Sequence, residues 1–78
     1  MSQTITRSID ARGIPCPGPL MSLIGAIREA AVGDVIEVLS SDEGSKTDIP
    51  AWVEKAKHEL MEVVGDDGFT RFVVRKAR

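Results

Sequence analysis

The sequence predicts an α/β two-layer sandwich of order β-α-β-α-β-β, with two helices on one face of a four-stranded mixed sheet. Three observations predict it. Apolar residues recur at helical spacing in two stretches: Leu20, Leu23, Ile24, Ile27 and Ala31, then Ile49, Trp52, Val53, Ala56 and Leu60. Extended-type apolar runs separate and follow them, at 35–40, 61–64 and 69–76. A length of 78 residues allows one domain, 1–78, and leaves little room for helices on both sheet faces.

The elements follow in order. "TITRSID" (4–10) reads as a strand with Ile5 and Ile9 on one face and Arg7 between them. "ARGIPCPGP" breaks regular structure, and the first helix runs from Pro19 until Gly33 caps it in the left-handed region. "VIEVLS" (35–40) is a buried central strand, followed by the loop "SDEGSKTD". Thr47 or Asp48 caps the second helix, with Pro50 in its first turn, where no backbone donor is required. "MEVV" and "FTRFVVRK" flank the turn sequence "GDDG" and form a hairpin. Trp52, Phe72, Leu23 and Ile27 are the expected core, and the second sheet face is expected to be partly open.

Composition narrows the function. A single cysteine excludes an internal disulfide, and one cysteine with one histidine is too few for a structural zinc site. The net charge of −2 supplies no basic field for nucleic acid, and basic and aromatic residues are not interleaved, so direct RNA binding is not expected. "MSQTITR" lacks the apolar stretch of a signal peptide, and no apolar run spans a bilayer. A free cysteine without a secretion signal fits the reducing cytoplasm.

The lone thiol, Cys16, stands in "PCPGP". A residue before proline is pushed into the β or polyproline II region, the dihedrals of a helix N-cap. Pro17 then suits the first helical position, and Pro17 and Pro19 lack N–H groups, leaving that of Gly18 for the sulfur. Because Pro19 biases Gly18 away from helix, the helix starts anywhere from Pro17 to Pro19. A helix start lowers a thiol pKa and favours the nucleophilic thiolate. The plain alternative is a buried, inert cysteine in a loop. Thioredoxin-type exchange needs a second thiol, and a cysteine protease needs a histidine base, for which His58 is the sole candidate. What remains is a thiol that receives a group and hands it on.

"DARGIPCPGPL" resembles the Asp-x-x-Gly-Leu-x-Cys-Pro-x-Pro-Leu signature of the TusA/SirA-like sulfur carriers, and the likeness continues through "GDVIEVLSSDEGSKTDIPAW", "HEL" and "FVVRK". The resemblance implies the same β-α-β-α-β-β fold. It implies a sulfur carrier or sulfurtransferase in which Cys16 carries sulfane sulfur as a persulfide, framed by Pro17, Gly18 and Pro19. The implied partners are a donor, a cysteine desulfurase or rhodanese-like protein, and a DsrE-like acceptor. The implied pathways are tRNA 2-thiouridine synthesis or sulfur oxidation. No metal, organic cofactor or membrane is required, and a monomer or weak dimer is expected. Members of this type commonly carry basic residues eight and nine positions after the cysteine; here those positions are Ile24 and Gly25. Gly25 costs a helix roughly 1 kcal/mol relative to alanine, unless it admits a closely approaching strand or partner.

Asp10 is read as capping the turn before Gly13 or, second to that, as orienting the cysteine loop, and Arg12 as support for a thiolate or persulfide or as a solvated loop charge. Arg28, Arg71 and Arg75 are candidate partner contacts, the last two sharing the open sheet face or simply keeping it solvated. Asp42 and Asp48 are turn and cap residues rather than a metal pair. His58 is a favourable charge at the end of the second helix. The alternative to a carrier is a regulatory or redox-sensing interaction module.

Overall fold

Strand β1 (Arg7–Asp10), helix α1 (Gly18–Glu29), strand β2 (Val35–Ser40), helix α2 (Ser45–Lys55), strand β3 (Glu59–Asp66) and strand β4 (Phe69–Arg75) succeed one another in the computed structural model, which describes residues 5–15 and 17–78. The sheet order is β1-β2-β4-β3. β1 runs parallel to β2, as the crossover through α1 requires, and β4 runs antiparallel to both β2 and β3. The expected two-layer architecture is the one observed.

The core lies between the helices and one sheet face. Leu23, Ala26 and Ile27 of α1 and Ile49 and Val53 of α2 pack on Ile36, Val38, Phe72 and Val74. Phe72, Leu23 and Ile27 sit where expected; Trp52 packs on the edge of this core and is only partly buried, its ring 5.6 Å from that of His58. Burying such side chains is the main stabilising term in a chain with no crosslink.

The far face of the sheet is not bare. Val73 is fully buried there and Val35 nearly so, although neither belongs to the cluster under the helices. Charged side chains roof them. Glu37 accepts hydrogen bonds from Ser8 Oγ at 2.7 Å and Arg71 Nη1 at 3.0 Å, and Arg75 Nη1 meets Glu59 at 3.1 Å. Arg71 Nη2 also reaches toward Glu62, at 3.5 Å. The register sets Glu37 opposite Val73 and Val73 opposite Glu62, so aliphatic stems cover the valine while their heads pair.

Several boundaries differ from the sequence reading: β1 begins only at Arg7, and β3 runs from Glu59 to Asp66, taking in the first two residues of "GDDG". Helix α2 starts at Ser45, so Thr47 and Asp48 fall inside it and Pro50 lies beyond its first turn. The start is fixed by tertiary structure: buried Ser45 and Ser40 share a 2.9 Å hydroxyl hydrogen bond, which draws the chain into helix at once. Helix α2 also ends early, so Leu60 belongs to β3. Lys57 adopts a φ of 64°, its N–H bonds to the Glu54 carbonyl, and the His58 N–H reaches the Val53 carbonyl. This is a Schellman closure with lysine where glycine is usual. Helix α1 ends at Glu29, not Ala31, and Gly33 is no cap. With a φ of 98° it occupies the third position of the turn from Ala31 to Asp34, and its N–H bonds to the Lys76 carbonyl at 2.7 Å. The helix end is closed by Lys76 Nζ, which donates to the Ala30 carbonyl.

Candidate functional site

The loop between β1 and α1 leaves the sheet at the carboxyl ends of two parallel strands, where open α/β sheets characteristically place their sites. It is built as two consecutive turns. Buried Ala11 anchors the first by donating its N–H to the Leu39 carbonyl at 2.8 Å. Its carbonyl then accepts the Ile14 N–H, which requires the φ of 82° that Gly13 supplies. The Gly13 N–H itself donates to Ser41 Oγ at 2.7 Å, tying the loop to the end of β2. The second turn runs from Pro15 to Gly18, whose N–H bonds to the Pro15 carbonyl at 2.9 Å. A shallow cleft of about 190 Å³ opens beside it, lined by Gly13, Ile14, Pro15, Ser41 and Asp42.

The helix start falls within the expected range of Pro17 to Pro19, one residue later than a cap at Cys16 would give. Pro17, with φ −93° and ψ 17°, is the N-cap, and Gly18 is the first helical residue. The Gly18 N–H is held by Pro15 and is not free for the sulfur. Gly18 has a different role: a Cβ there would run into Ile14 Cγ2, so the loop folds onto the helix start only because the side chain is missing. The first turn of α1 carries no acidic residue to neutralise its partial positive charge. Cys16 lies outside the described residues, next to the N-cap in sequence.

Asp10 and Arg12 are brought together. Asp10 Oδ1 accepts both the Arg12 backbone N–H at 3.2 Å and Arg12 Nε at 2.8 Å, and Oδ2 accepts Nη2 at 2.8 Å. These side-chain and backbone hydrogen bonds hold the Asp10 carboxyl down at about 2 and push the Arg12 guanidinium upward. The guanidinium also lies 5.0 Å above the centre of the Phe69 ring, which fixes its plane. Asp10 therefore makes the expected turn, and Arg12 is an ordered member of the loop.

The other candidates are dispersed. Arg28 is exposed in the last turn of α1. Arg71 and Arg75 lie on the far sheet face in the ion pairs described above. His58 is not a helix-end charge: its Nδ1 accepts the Ala77 N–H at 3.1 Å, a role for neutral imidazole. Burial, then Lys76 and Arg78, lower its pKa in keeping with that. Gly25 is exposed, and a Cβ there would meet nothing, so no strand of this chain approaches it.

Sequence reasoning did not single out Ile14, Met21, Ser41 or Phe69. Ile14 is 45% and Met21 60% exposed, unusual for side chains of that size beside a motif. The sequence carries one signal of this: between Arg12 and Arg28, no side chain other than the Cys16 thiol is ionisable.

Residues 7–76 match the family model described as sulfurtransferase TusA. The chain belongs to this family. A candidate sulfur carrier protein of Archaeoglobus fulgidus is 54% identical over 70 residues, covering 90% of this chain and 96% of that one. The sulfur carrier protein TusA of Pseudomonas aeruginosa is 32% identical over 76 residues, covering 97% and 96%. In structure, a SirA-like protein from Desulfitobacterium hafniense superposes with a TM-score of 0.80 over 92% of this chain and 99% of that one, at 23% identity, a likeness of fold. This TusA-family chain has, among its described residues, no helix long and apolar enough to cross a membrane.

Proposed function

We propose that the protein accepts sulfane sulfur as a persulfide on Cys16 and passes it to a partner protein, acting as a sulfurtransferase in a sulfur relay. The observation that carries this reading is the family match spanning the Cys-Pro-x-Pro segment, in a chain whose only thiol is Cys16. The chemistry requires no cofactor. The Cys16 thiolate attacks the terminal sulfur of a donor persulfide; a new S–S bond forms on Cys16, the donor S–S bond breaks, and the donor leaves as thiolate. The acceptor's thiolate then attacks the terminal sulfur on Cys16, and Cys16 departs as thiolate. Sulfane sulfur moves without net oxidation.

The surroundings support each half of that cycle. The N-terminal end of α1, with no acid in its first turn, favours an anionic sulfur at the residue preceding the cap. Pro15, Pro17 and Pro19 stiffen the segment, and the tie from Gly13 to Ser41 fixes the base of the loop. The Asp10–Arg12 pair, braced on Phe69, supports the other side. A cysteine desulfurase or rhodanese-like protein would be the donor and a DsrE-like protein the acceptor, in the reducing cytoplasm, feeding tRNA 2-thiouridine synthesis or sulfur oxidation.

The test is an intact-mass measurement of the reduced protein after incubation with glutathione persulfide or with a cysteine desulfurase and cysteine. One added sulfur on wild type and none on Cys16→Ser is the expected result. No gain from any donor, or an equal gain on Cys16→Ser, contradicts it.

A further inference from the structure

The positions eight and nine residues after the cysteine are Ile24 and Gly25, within a run that carries no charge. Of the uncharged run between Arg12 and Arg28, Pro19, Leu23, Ala26 and Ile27 are buried. Leu20, which packs against the core, and Ile24 are half-buried, and the remaining side chains of the first turns face outward. Met21 and Ser22 are exposed and lie four and three residues before exposed Gly25, so each neighbours it on one side of α1. Ile14 packs over Gly18 at the head of that side, with exposed Pro15 and Pro17 beside it. The result is a continuous apolar strip from the loop along α1.

One charge borders the strip: Arg28, exposed in the last turn of α1, lies three residues beyond Gly25. On the loop side, Arg12 is held in both prongs of Asp10. At the far end, Glu29 is paired with Arg7 at 2.9 Å. Gly25 adds a second and independent indication. It is a helix-weakening residue in mid-helix, its φ is not positive, and open space surrounds the place of its missing Cβ. Nothing inside the fold requires glycine there. A partner backbone laid against the helix would, since a bare Cα permits closer approach than any side chain.

We infer that this strip, formed by Ile14, Pro15, Pro17, Met21 and the notch at Gly25, is the docking surface for the sulfur-exchanging partner, and that the partner meets it with an uncharged, apolar segment. The inference rests on the sulfur-carrier reading and specifies its partner. A basic partner surface gains no counter-charge here, and an acidic one finds only Arg28, at the rim beyond Gly25. An apolar segment buries Met21 and Ile14 and leaves no charge unpaired. Recognition is then by shape and burial, and weakly dependent on salt.

The experiment compares donors that need docking with one that does not. Wild type, Met21→Glu and Gly25→Gln are loaded in parallel from glutathione persulfide and from two protein donors, a cysteine desulfurase with cysteine and a rhodanese-like protein charged from thiosulfate. The faster protein donor is used for the comparison. Circular dichroism confirms that each variant is folded, and Gly25→Gln, which introduces a better helix former, serves as the variant least able to fail by unfolding. Loading from glutathione persulfide is expected to match wild type in both variants, while loading from the protein donor falls about tenfold or more, the scale of losing a central interface contact. For wild type, the protein-donor rate is expected to change less than about twofold between roughly 50 and 500 mM NaCl, a range over which charge steering is strongly screened. Unaltered protein-donor rates in both variants overturn the docking surface and leave the carrier reading standing. A steep fall of the wild-type rate with salt, or a strip that serves only a dimer of this chain dissolved by Met21→Glu, also overturns it. Absence of loading from every donor overturns the carrier reading itself and the strip with it.

Discussion

On the far face of the sheet, Val35 and Val73 lie beneath Glu37, Glu62, Arg71, Glu59 and Arg75, and the charges above them pair with one another. On the outward side of α1 and the loop before it, Ile14 and Met21 are uncovered and no charged side chain overhangs them. Both surfaces carry apolar residues; on the far face polar side chains cover Val35 and Val73 and leave Val64 exposed on the outer strand β3, whereas Ile14 and Met21 have no such cover. Amphipathic cover of the first kind is what keeps a two-layer domain monomeric when one sheet face has no helices. Its absence on the second surface, next to Cys16 in sequence, is the basis for proposing that another protein completes the packing there.

Four changes break or sharpen this contrast. Phe72→Ala removes the fully buried ring between the two layers and is expected to cost about 3–5 kcal/mol, close to all that a core of this size supplies. Urea denaturation followed by circular dichroism reads it, and a loss below about 1 kcal/mol places the core elsewhere. Arg71→Ala opens the roof of the far face: Glu37 loses its guanidinium, Val73 is uncovered, and stability falls by about 1–3 kcal/mol. Protein-to-protein sulfur transfer by the folded variant should remain within about twofold of wild type, since this face is proposed to stand apart from docking. A tenfold loss there would return Arg71 to the partner interface.

Gly25→Ala acts on the other surface with the opposite sign. It should stabilise by about 1 kcal/mol, raising Tm by several degrees, because the missing Cβ meets open space. An unchanged or lower Tm would mean that glycine serves the fold after all. The smallest effect concerns Asp10. Its folded carboxyl is held at about 2, below the ordinary 3.8, so the stabilisation it contributes is complete above 3.8 and fades as pH falls toward 2. An NMR titration should place Asp10 there in wild type and return it toward 3.8 in Arg12→Gln; an ordinary value in wild type would dissolve the clamp.

Much of this was legible in the sequence, for identifiable reasons. Element order followed from the change between helical and alternating periods, and Arg71 and Arg75 alternate visibly with Phe72 and Val74. What escaped was set by contacts distant in sequence. The start of α2 depends on Ser40 meeting Ser45 across a turn, whereas Thr47, Asp48 and Pro50 advertise a later start. Its end depends on Lys57 accepting a left-handed backbone, which no local rule assigns to lysine, so the helical period ran on to Leu60. The partners of Arg71 became visible only once β4 was seen to lie between β2 and β3. At the site, the prolines did announce a constrained helix start, but not that the Pro15 carbonyl would take the Gly18 donor. The uncharged run was in plain view, and helical spacing already placed Leu23 and Ile27 inside; that Ile14 and Met21 stay exposed beside it needed the three-dimensional structure.

The central claim is that sulfur rests on Cys16 and leaves it for another protein. A single-turnover experiment tests this most directly: load the protein with isotopically labelled sulfane sulfur, remove the donor, add a DsrE-like acceptor, and follow the label by mass spectrometry. The account predicts one labelled sulfur on the peptide containing Cys16, discharged to the acceptor thiol with the carrier returned to its reduced mass. Label on any other residue, or label on Cys16 that no thiol protein can remove, would contradict it.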